Sequence, residues 1–196
     1  MTQTDKQQVS RLRYTGLLFL LSFLYYALPL GQAPFFTRGE AREGMVVQAM
    51  FRQQNFILPL RNGADIPSKP PFFHWSAALL SHLQGGLSEM SIRLPSAIAA
   101  SLALAAFFFF CVKSLSPKSS LLGALSLGAS FEWLRSAGGA RVDMMFTFWV
   151  TVATLLLFEL IESYSQAIAN SPNNNRSPIA FSTLALLTFA PNHRLS

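Results

Sequence analysis

The chain has one cysteine, Cys111, in 196 residues. That excludes an internal disulfide and any metal site built on paired cysteines. Charge is scarce as well: charged residues make up 12% of the sequence, with 9 acids against 15 Lys and Arg. A chain this poor in charge and 51% hydrophobic is neither disordered nor an ordinary soluble domain. The basic residues do not form a stripe interleaved with aromatics, so no nucleic-acid partner is expected. They flank apolar runs, as loop cations do beside lipid headgroups. The 3 histidines have no partners at metal-ligand spacing, and His74 and His82 read as interfacial side chains. No metal and no cofactor is expected, with a divalent cation left open.

What the chain has in quantity is apolar runs without charge. The first, "YTGLLFLLSFLYYALPLGQAPFFT" from Tyr14 to Thr37, is long enough to cross a bilayer, which takes roughly 20 apolar residues. Lys6, Arg11 and Arg13 precede it. It is longer than a signal-peptide core, and "LGQAPFF" is a poor cleavage site. It therefore reads as an uncleaved helix with a cytoplasmic N-terminus. The same reasoning gives spans at about 14–33, 94–112, 119–136, 144–162 and 178–191. The third can cross only with Glu132 and Arg135 at its outer end, where their i,i+3 spacing lets them pair. The fold class is all-α integral membrane, and 1–196 forms one N-terminal transmembrane fragment. Counting crossings puts residues 34–92 and about 134–143 outside the membrane, and 113–118 inside.

The outer segment 34–92 is too apolar for a linker. "EAREGMVVQAMFRQQ" has helical spacing, with Ala41, Val47, Met50 and Phe51 near one face and Arg42, Glu43, Arg52 and Gln53 largely elsewhere. "NFILPL" reads as extended, and the Asn-Gly of "RNGAD" marks a tight turn. Proline opens "PPFFHWSAALLSHL" at the position that suits a first helical turn. Two short interfacial helices joined by a hairpin would make a lid on the membrane face. Lys69 then acquires a defined place, on a backbone restricted by Pro67, Pro70 and Pro71 and just ahead of a helix start. Such a start favours an anion, and a lipid phosphate would suit. The plainer alternative, a lysine snorkelling to headgroups, stands beside it on these residues alone. Trp75, Trp133 and Trp149 read as interfacial or packing aromatics.

The order "GEAREGMVVQAMFRQQNFILPLRNGADIPSKPPFFHW", then "SIRLPSAIAA", then "RVDMMFTFW" resembles the N-terminal part of a family of membrane glycosyltransferases. The family includes protein O-mannosyltransferases and lipid A aminoarabinose transferases. The resemblance covers roughly residues 15–190 and implies a GT-C-like helical bundle in the bacterial inner membrane. It implies transfer of a sugar from a polyprenyl-phosphate donor to a lipid, glycan or protein acceptor on the periplasmic side. It also points to site residues. The family's first loop opens Asp-Glu with an Arg two residues after the Glu. Here Glu40 and Arg42 match, and Gly39 stands where the Asp would be, so Glu40 takes its role. The second outer loop carries an Arg-x-Asp element, matched by Arg141-Val142-Asp143. Glu40 and Asp143 are thus the expected catalytic acids, with Lys69, Arg42 and Arg141 on the donor phosphate. Family members run on through many more spans, so a truncated, non-catalytic membrane protein is the alternative function. A transporter subunit explains the spans but not the structured lid.

Overall fold

A computed structural model describes residues 3–57, 59–61 and 64–169. Among these residues all regular structure is helical: α1 (Gln3–Ala27), α2 (Arg38–Gln53), α3 (Phe72–Leu83), α4 (Glu89–Ser114), α5 (Pro117–Gly128), α6 (Phe131–Ala137) and α7 (Val142–Ala169). The expected hairpin reduces to one antiparallel bridge between Arg61 and Asp65. The Asn-Gly turn itself, the polar loop after α7 and the fifth expected span lie outside the described residues. A first compact unit ends at Val152. The described part of the second is the remainder of α7, where Leu156, Leu157, Phe158 and Leu160 are exposed.

Local chemistry sets the helix boundaries. Thr37 caps α2, its hydroxyl accepting from the Glu40 amide at 3.2 Å. Ser88 and Ser91 form a reciprocal capping box at the start of α4, each side chain accepting the other's backbone N–H at 3.0 Å. Ser116 caps α5, with Pro117 at its first position, where the missing N–H costs nothing. The residues of the third expected span form two helices rather than one. The chain breaks at Ala129 and restarts at Ser130, whose hydroxyl turns back to donate to the Leu127 carbonyl at 2.8 Å. Glu132 and Arg135 pair as their spacing predicted, at 2.9 Å.

The first unit is organised around α4. Its Leu94, Ala97, Ala100, Ala103 and Leu104 are buried against Tyr26 of α1, Leu30 just after it, Trp133 and Ala137 of α6 and Met144 of α7. The repeated alanines bring neighbouring backbones close, as small residues do where helices pack in lipid. A second cluster joins Val47 of α2, Phe73, Ala77 and Ala78 of α3, Ile92 of α4 and Ala140. This cluster seats the two lid helices on the head of α4.

Two helices, α4 and Val142–Ala167 within α7, are long and apolar enough to cross a membrane. In α1 the charge-free stretch is helical only from Tyr14 to Ala27, and the chain turns from Leu28 to Gly31. Leu17, Leu20, Leu21 and Leu24 of α1 and Leu121, Leu122 and Leu125 of α5 are exposed. Rows of bare leucines on helices suit hydrocarbon rather than water.

The tightest crossing in this bundle is at Gly128. The Tyr26 hydroxyl donates to its carbonyl at 3.0 Å. A Cβ there would lie 2.8 Å from Leu104 Cδ1 and 2.9 Å from Tyr26 Oη. Gly128→Ala should therefore lower stability by about 1–3 kcal/mol through overpacking. Gly16, whose Cβ position is open, should accept alanine without loss. Unfolding midpoints of the two variants in detergent test this, and equal midpoints would show that the crossing is loose.

Candidate active site

Two neighbouring clusters form where α2, α3, α4 and the start of α7 meet. The first centres on Arg93, in the second turn of α4 and 3% exposed. Its Nε donates to Glu40 Oε1 at 2.9 Å. Its Nη1 donates to the Leu30 and Ala33 carbonyls at 2.8 and 2.7 Å, and its Nη2 to the Pro34 carbonyl at 2.9 Å. The guanidinium also faces the Phe35 ring at 5.1 Å. Glu40, 5% exposed, accepts two further bonds, from the Phe36 and Ala140 amides at 3.2 Å each. The close approach of residues 139–140 relies on glycine: a Cβ at Gly139 would sit 3.2 Å from the Arg135 carbonyl and 3.4 Å from Glu40 Oε1.

The second cluster centres on Glu43, one turn further along α2 and 4% exposed. Its Oε2 lies 2.8 Å from His74 Nε2. Its Oε1 accepts from Arg42 Nη2 at 3.2 Å and faces Lys69 Nζ at 3.7 Å. Lys69 turns its other side to Asp143 Oδ1, 3.4 Å away, and Asp143 Oδ2 stands 4.0 Å from Arg141 Nη1. Asp143 is in the first turn of α7. Beside it, Phe72 of α3 meets Trp149 of α7 edge to face at 6.0 Å. Ser96 fixes the approach to Asp143: its hydroxyl accepts from the Arg141 amide at 3.0 Å and donates to the Arg141 carbonyl at 3.2 Å.

Of the residues expected in a site, the fold brings Lys69, Arg42, Arg141 and Asp143 together. Glu40 lies apart from Lys69, with its oxygens engaged by Arg93 and two amides. Its partner is neither Arg38 nor Arg42, the near neighbours that the sequence suggests. Three residues that the sequence reading did not place in a site belong to these clusters: Glu43, His74 and Arg93. Glu43 was assigned away from the apolar face, yet it is buried. His74 was read as interfacial, yet it is fully buried. The available signal for Arg93 was its position at the head of "RLPS". That motif holds Glu40 through its Arg and residue 141 through its Ser. A cavity of about 470 Å³ opens beside the first cluster. Glu40, Arg93, Arg135 and Arg141 line it together with Phe36 and Leu134, so Arg141 borders both the cavity and the Asp143 cluster. No group of acids, histidines and cysteines able to hold a metal ion occurs among the described residues.

Burial raises the pKa of both glutamates, and their partners outweigh it. Hydrogen bonds from Arg93, Ala140 and Phe36, with the Arg93 charge, hold Glu40 below the usual carboxylate value of 4.5. The His74 hydrogen bond and charge, the Lys69 charge and the Arg42 hydrogen bond do the same for Glu43.

Comparison with known proteins bears on what this arrangement is. A profile of the family "Dolichyl-phosphate-mannose-protein mannosyltransferase" matches residues 68–169, and the chain belongs to this family. Curated relatives include an "undecaprenyl phosphate-alpha-4-amino-4-deoxy-L-arabinose arabinosyl transferase" of Pseudomonas aeruginosa, 29% identical over 157 residues. That match takes in 79% of this chain and 28% of the relative. A protein of the same name from Shewanella sediminis is 26% identical over 81% of this chain and 28% of its own length. An uncharacterized protein of Aquifex aeolicus is 30% identical over 61% of this chain and 29% of its own length. The chain thus spans little more than a quarter of the curated relatives it matches. No solved structure matches it significantly.

The depressed carboxylates make acid sensitivity predictable. A group whose folded pKa is lowered contributes stability that is fully present above its unfolded pKa and lost as pH falls through the folded one. The thermal midpoint should hold from pH 7 to about pH 5 and fall below about 4.5, the ordinary value for both groups. Glu40→Gln should cost about 3–5 kcal/mol at neutral pH, because it strands the buried Arg93 charge. It should also flatten part of the acid limb. Melting curves across pH 3–7 in detergent check both, and an unchanged acid limb in Glu40→Gln would remove Glu40 from the account.

Proposed function

We propose that this chain forms the donor-phosphate end of a polyprenyl-phosphate-sugar-dependent glycosyltransferase in the bacterial inner membrane, working on its periplasmic face. The observation that carries the reading is the meeting of three cations from separate segments at two acids: Lys69 lies between Glu43, which also pairs with Arg42, and the exposed carboxylate of Asp143, which faces Arg141. The names of the relatives and the family match support the donor class. In the reaction, an acceptor oxygen attacks the anomeric carbon while the bond from that carbon to the phosphate oxygen breaks. The electron pair leaves with the polyprenyl phosphate, and the acceptor's proton passes to a carboxylate. The leaving phosphate gains charge, so it needs cations rather than a strong acid. Lys69, Arg42 and Arg141 supply them. The acceptor hydroxyl needs a base within reach. Asp143, 65% exposed at its side chain, is the acid placed for that task. Glu40 was expected to share it, but its oxygens are committed to Arg93 and two amides, so we assign it to the scaffold. The acceptor is a lipid, glycan or protein.

In this reading the segment 34–92 is a single lid on the periplasmic side, and the N-terminus is cytoplasmic. The spans that fall on described residues are then 14–33, 94–112, 119–136 as α5 and α6 in succession, and 144–162; the fifth, 178–191, lies outside the described residues. Single cysteines at Ile66 and Ser116, both exposed, introduced after Cys111→Ser, should label from opposite faces with an impermeant reagent. Labelling of both from one face would overturn the arrangement.

Lys69→Ala should weaken polyprenyl-phosphate binding, by the roughly 1.5–3 kcal/mol of a charge-assisted contact. Arg52→Ala, a lid cation outside the site, should not. Equal losses at both would reduce the site to general attraction for anionic lipid. The 157 matched residues of this chain correspond to 28% of the arabinosyl transferase, so we expect this segment to bind donor without turnover on its own. In a longer chain carrying these residues, Asp143→Asn should cut transfer of radiolabelled sugar by about 10²- to 10⁴-fold, the usual loss of a positioned base. Glu89→Gln should not. Full activity in Asp143→Asn would take Asp143 out of the reaction.

A further inference from the structure

We propose that Glu43 and His74 form a buried positioning pair that holds Lys69 where a lipid-linked phosphate is received. The proposal rests on the reading of Lys69 above. It starts from an anomaly: α3 buries an imidazole and α2 buries a carboxylate in an otherwise apolar seat. His74 is 0% exposed and Glu43 is 4% exposed. Each would be costly there alone, and each satisfies the other across 2.8 Å. A carboxylate held well into its charged form only accepts, so His74 Nε2 is the donor. The ring's other nitrogen, Nδ1, is buried with no partner among the described residues. The imidazole therefore has a single hydrogen-bonding task in this cluster.

The geometry divides the two oxygens of Glu43. Oε2 faces inward to His74, while Oε1 faces Arg42 and Lys69. Because His74 fixes the inner oxygen, it also fixes the rotation of the carboxylate and thus the direction from which Glu43 draws the ammonium. Lys69 lies between this anchored acid and Asp143, at 3.7 and 3.4 Å. The two acids respond differently to an arriving phosphate. Asp143 is largely exposed, so water replaces its lysine at little cost. Glu43 cannot leave without stranding a buried charge. The phosphate therefore displaces Asp143 from Lys69, while Glu43 keeps the lysine in place, and Asp143 is released with a free oxygen beside the bound donor. His74 touches none of the reacting atoms; it acts through Glu43.

The test compares two amides of different reach. In His74→Gln the side-chain NH₂ reaches about as far as Nε2, and in His74→Asn it stops near Nδ1. Binding of polyprenyl phosphate and of uncharged polyprenol is measured on the 196-residue chain in lipid nanodiscs, with helicity followed by circular dichroism. The variants are these two and Lys69→Ala. Lys69→Ala should weaken the phosphate lipid by more than about 10-fold, and His74→Asn by about 10-fold, equivalent to about 1.4 kcal/mol. His74→Gln should stay close to the parent, and polyprenol binding should not change. Equal losses in the Asn and Gln variants would make His74 a packing residue and overturn the pair. Parent-like binding in His74→Asn with a loss in Lys69→Ala would also overturn it, while leaving Lys69 in the site. Parent-like binding in Lys69→Ala would overturn the reading of the site itself. Should His74→Asn lose its helical signal, Glu43→Gln decides: a comparable loss of phosphate binding supports the pair, and parent-like binding overturns it.

Discussion

The buried ion pair between Arg93 and Glu40 is the contact on which the rest of the first unit depends. A guanidinium has five N–H donors in a rigid fork. Arg93 uses its fork on one carboxylate and on the carbonyls of Leu30, Ala33 and Pro34. Those carbonyls belong to the segment leaving α1, where the chain has stopped being helical and no longer pairs them within a helix. Glu40 passes the connection to α2 and, through the Ala140 amide, to the segment before α7. The stretch from Leu30 to Glu40, the head of α4 and the segment before α7 are thus tied together at this ion pair. Ion pairs buried this deeply add little net stability relative to a well-packed apolar core. Their partners are nonetheless specific: this arrangement gives the guanidinium a carboxylate and three carbonyls.

That tie has a consequence one turn along α2. Glu40 and Glu43 are three residues apart, so they project from neighbouring positions on one face of the helix. With Glu40 drawn to Arg93, Glu43 is directed at α3, where His74 and Lys69 meet it. The same helix turn therefore carries a carboxylate that holds the scaffold and another that faces the cations. Ser96 does for α7 what Arg93 does for α2. It grips the backbone of residue 141 from both sides, so that Asp143 emerges opposite Lys69. The "RLPS" motif at the head of α4 is in this sense the frame of the site, although none of its residues lies among the cations.

Much of the helical framework was readable in the sequence. Charge-free runs marked α4 and α7, and helical spacing marked α2. Proline before an aromatic run marked α3, and the i,i+3 spacing of Glu132 and Arg135 marked their pairing. Pro29 and Pro34 marked the exit of the first run, and α1 ends just before them at Ala27. Two features were not readable, each for a physical reason. The break at Ala129–Ser130 interrupts an apolar run without glycine or proline at the break itself, because a serine hydroxyl bonded to the preceding turn is enough to end one helix. The site's central acid was hidden because periodicity sorts residues by polarity. Glu43 and His74 are buried by pairing with each other, a contact made across 31 positions that spacing along either helix cannot register. The cations were found because backbone chemistry places them locally: prolines fix Lys69, and a loop motif carries Arg141.

The charge balance of the cluster fits the proposed chemistry. Arg42, Lys69 and Arg141 outnumber the acids Glu43 and Asp143 that they face, so the cluster has positive charge in excess. A sugar joined to a polyprenyl phosphate is a phosphodiester with one negative charge, which suits a site with cations in excess. As the bond to the sugar breaks, the phosphate acquires a second charge, and at that moment the site must offer more positive field than the ground state used. Protonation of Asp143 by the acceptor hydroxyl supplies it, because the acid's own charge disappears as the phosphate's grows. In the proposed reaction, attack and departure are thereby coupled by charge, since one acid beside the donor loses its charge while the phosphate held by Lys69 gains one. A buried Glu43 anchored by His74 is what such an exchange requires. If both acids were free to protonate or swing away, the lysine would have no fixed position from which to follow the charge.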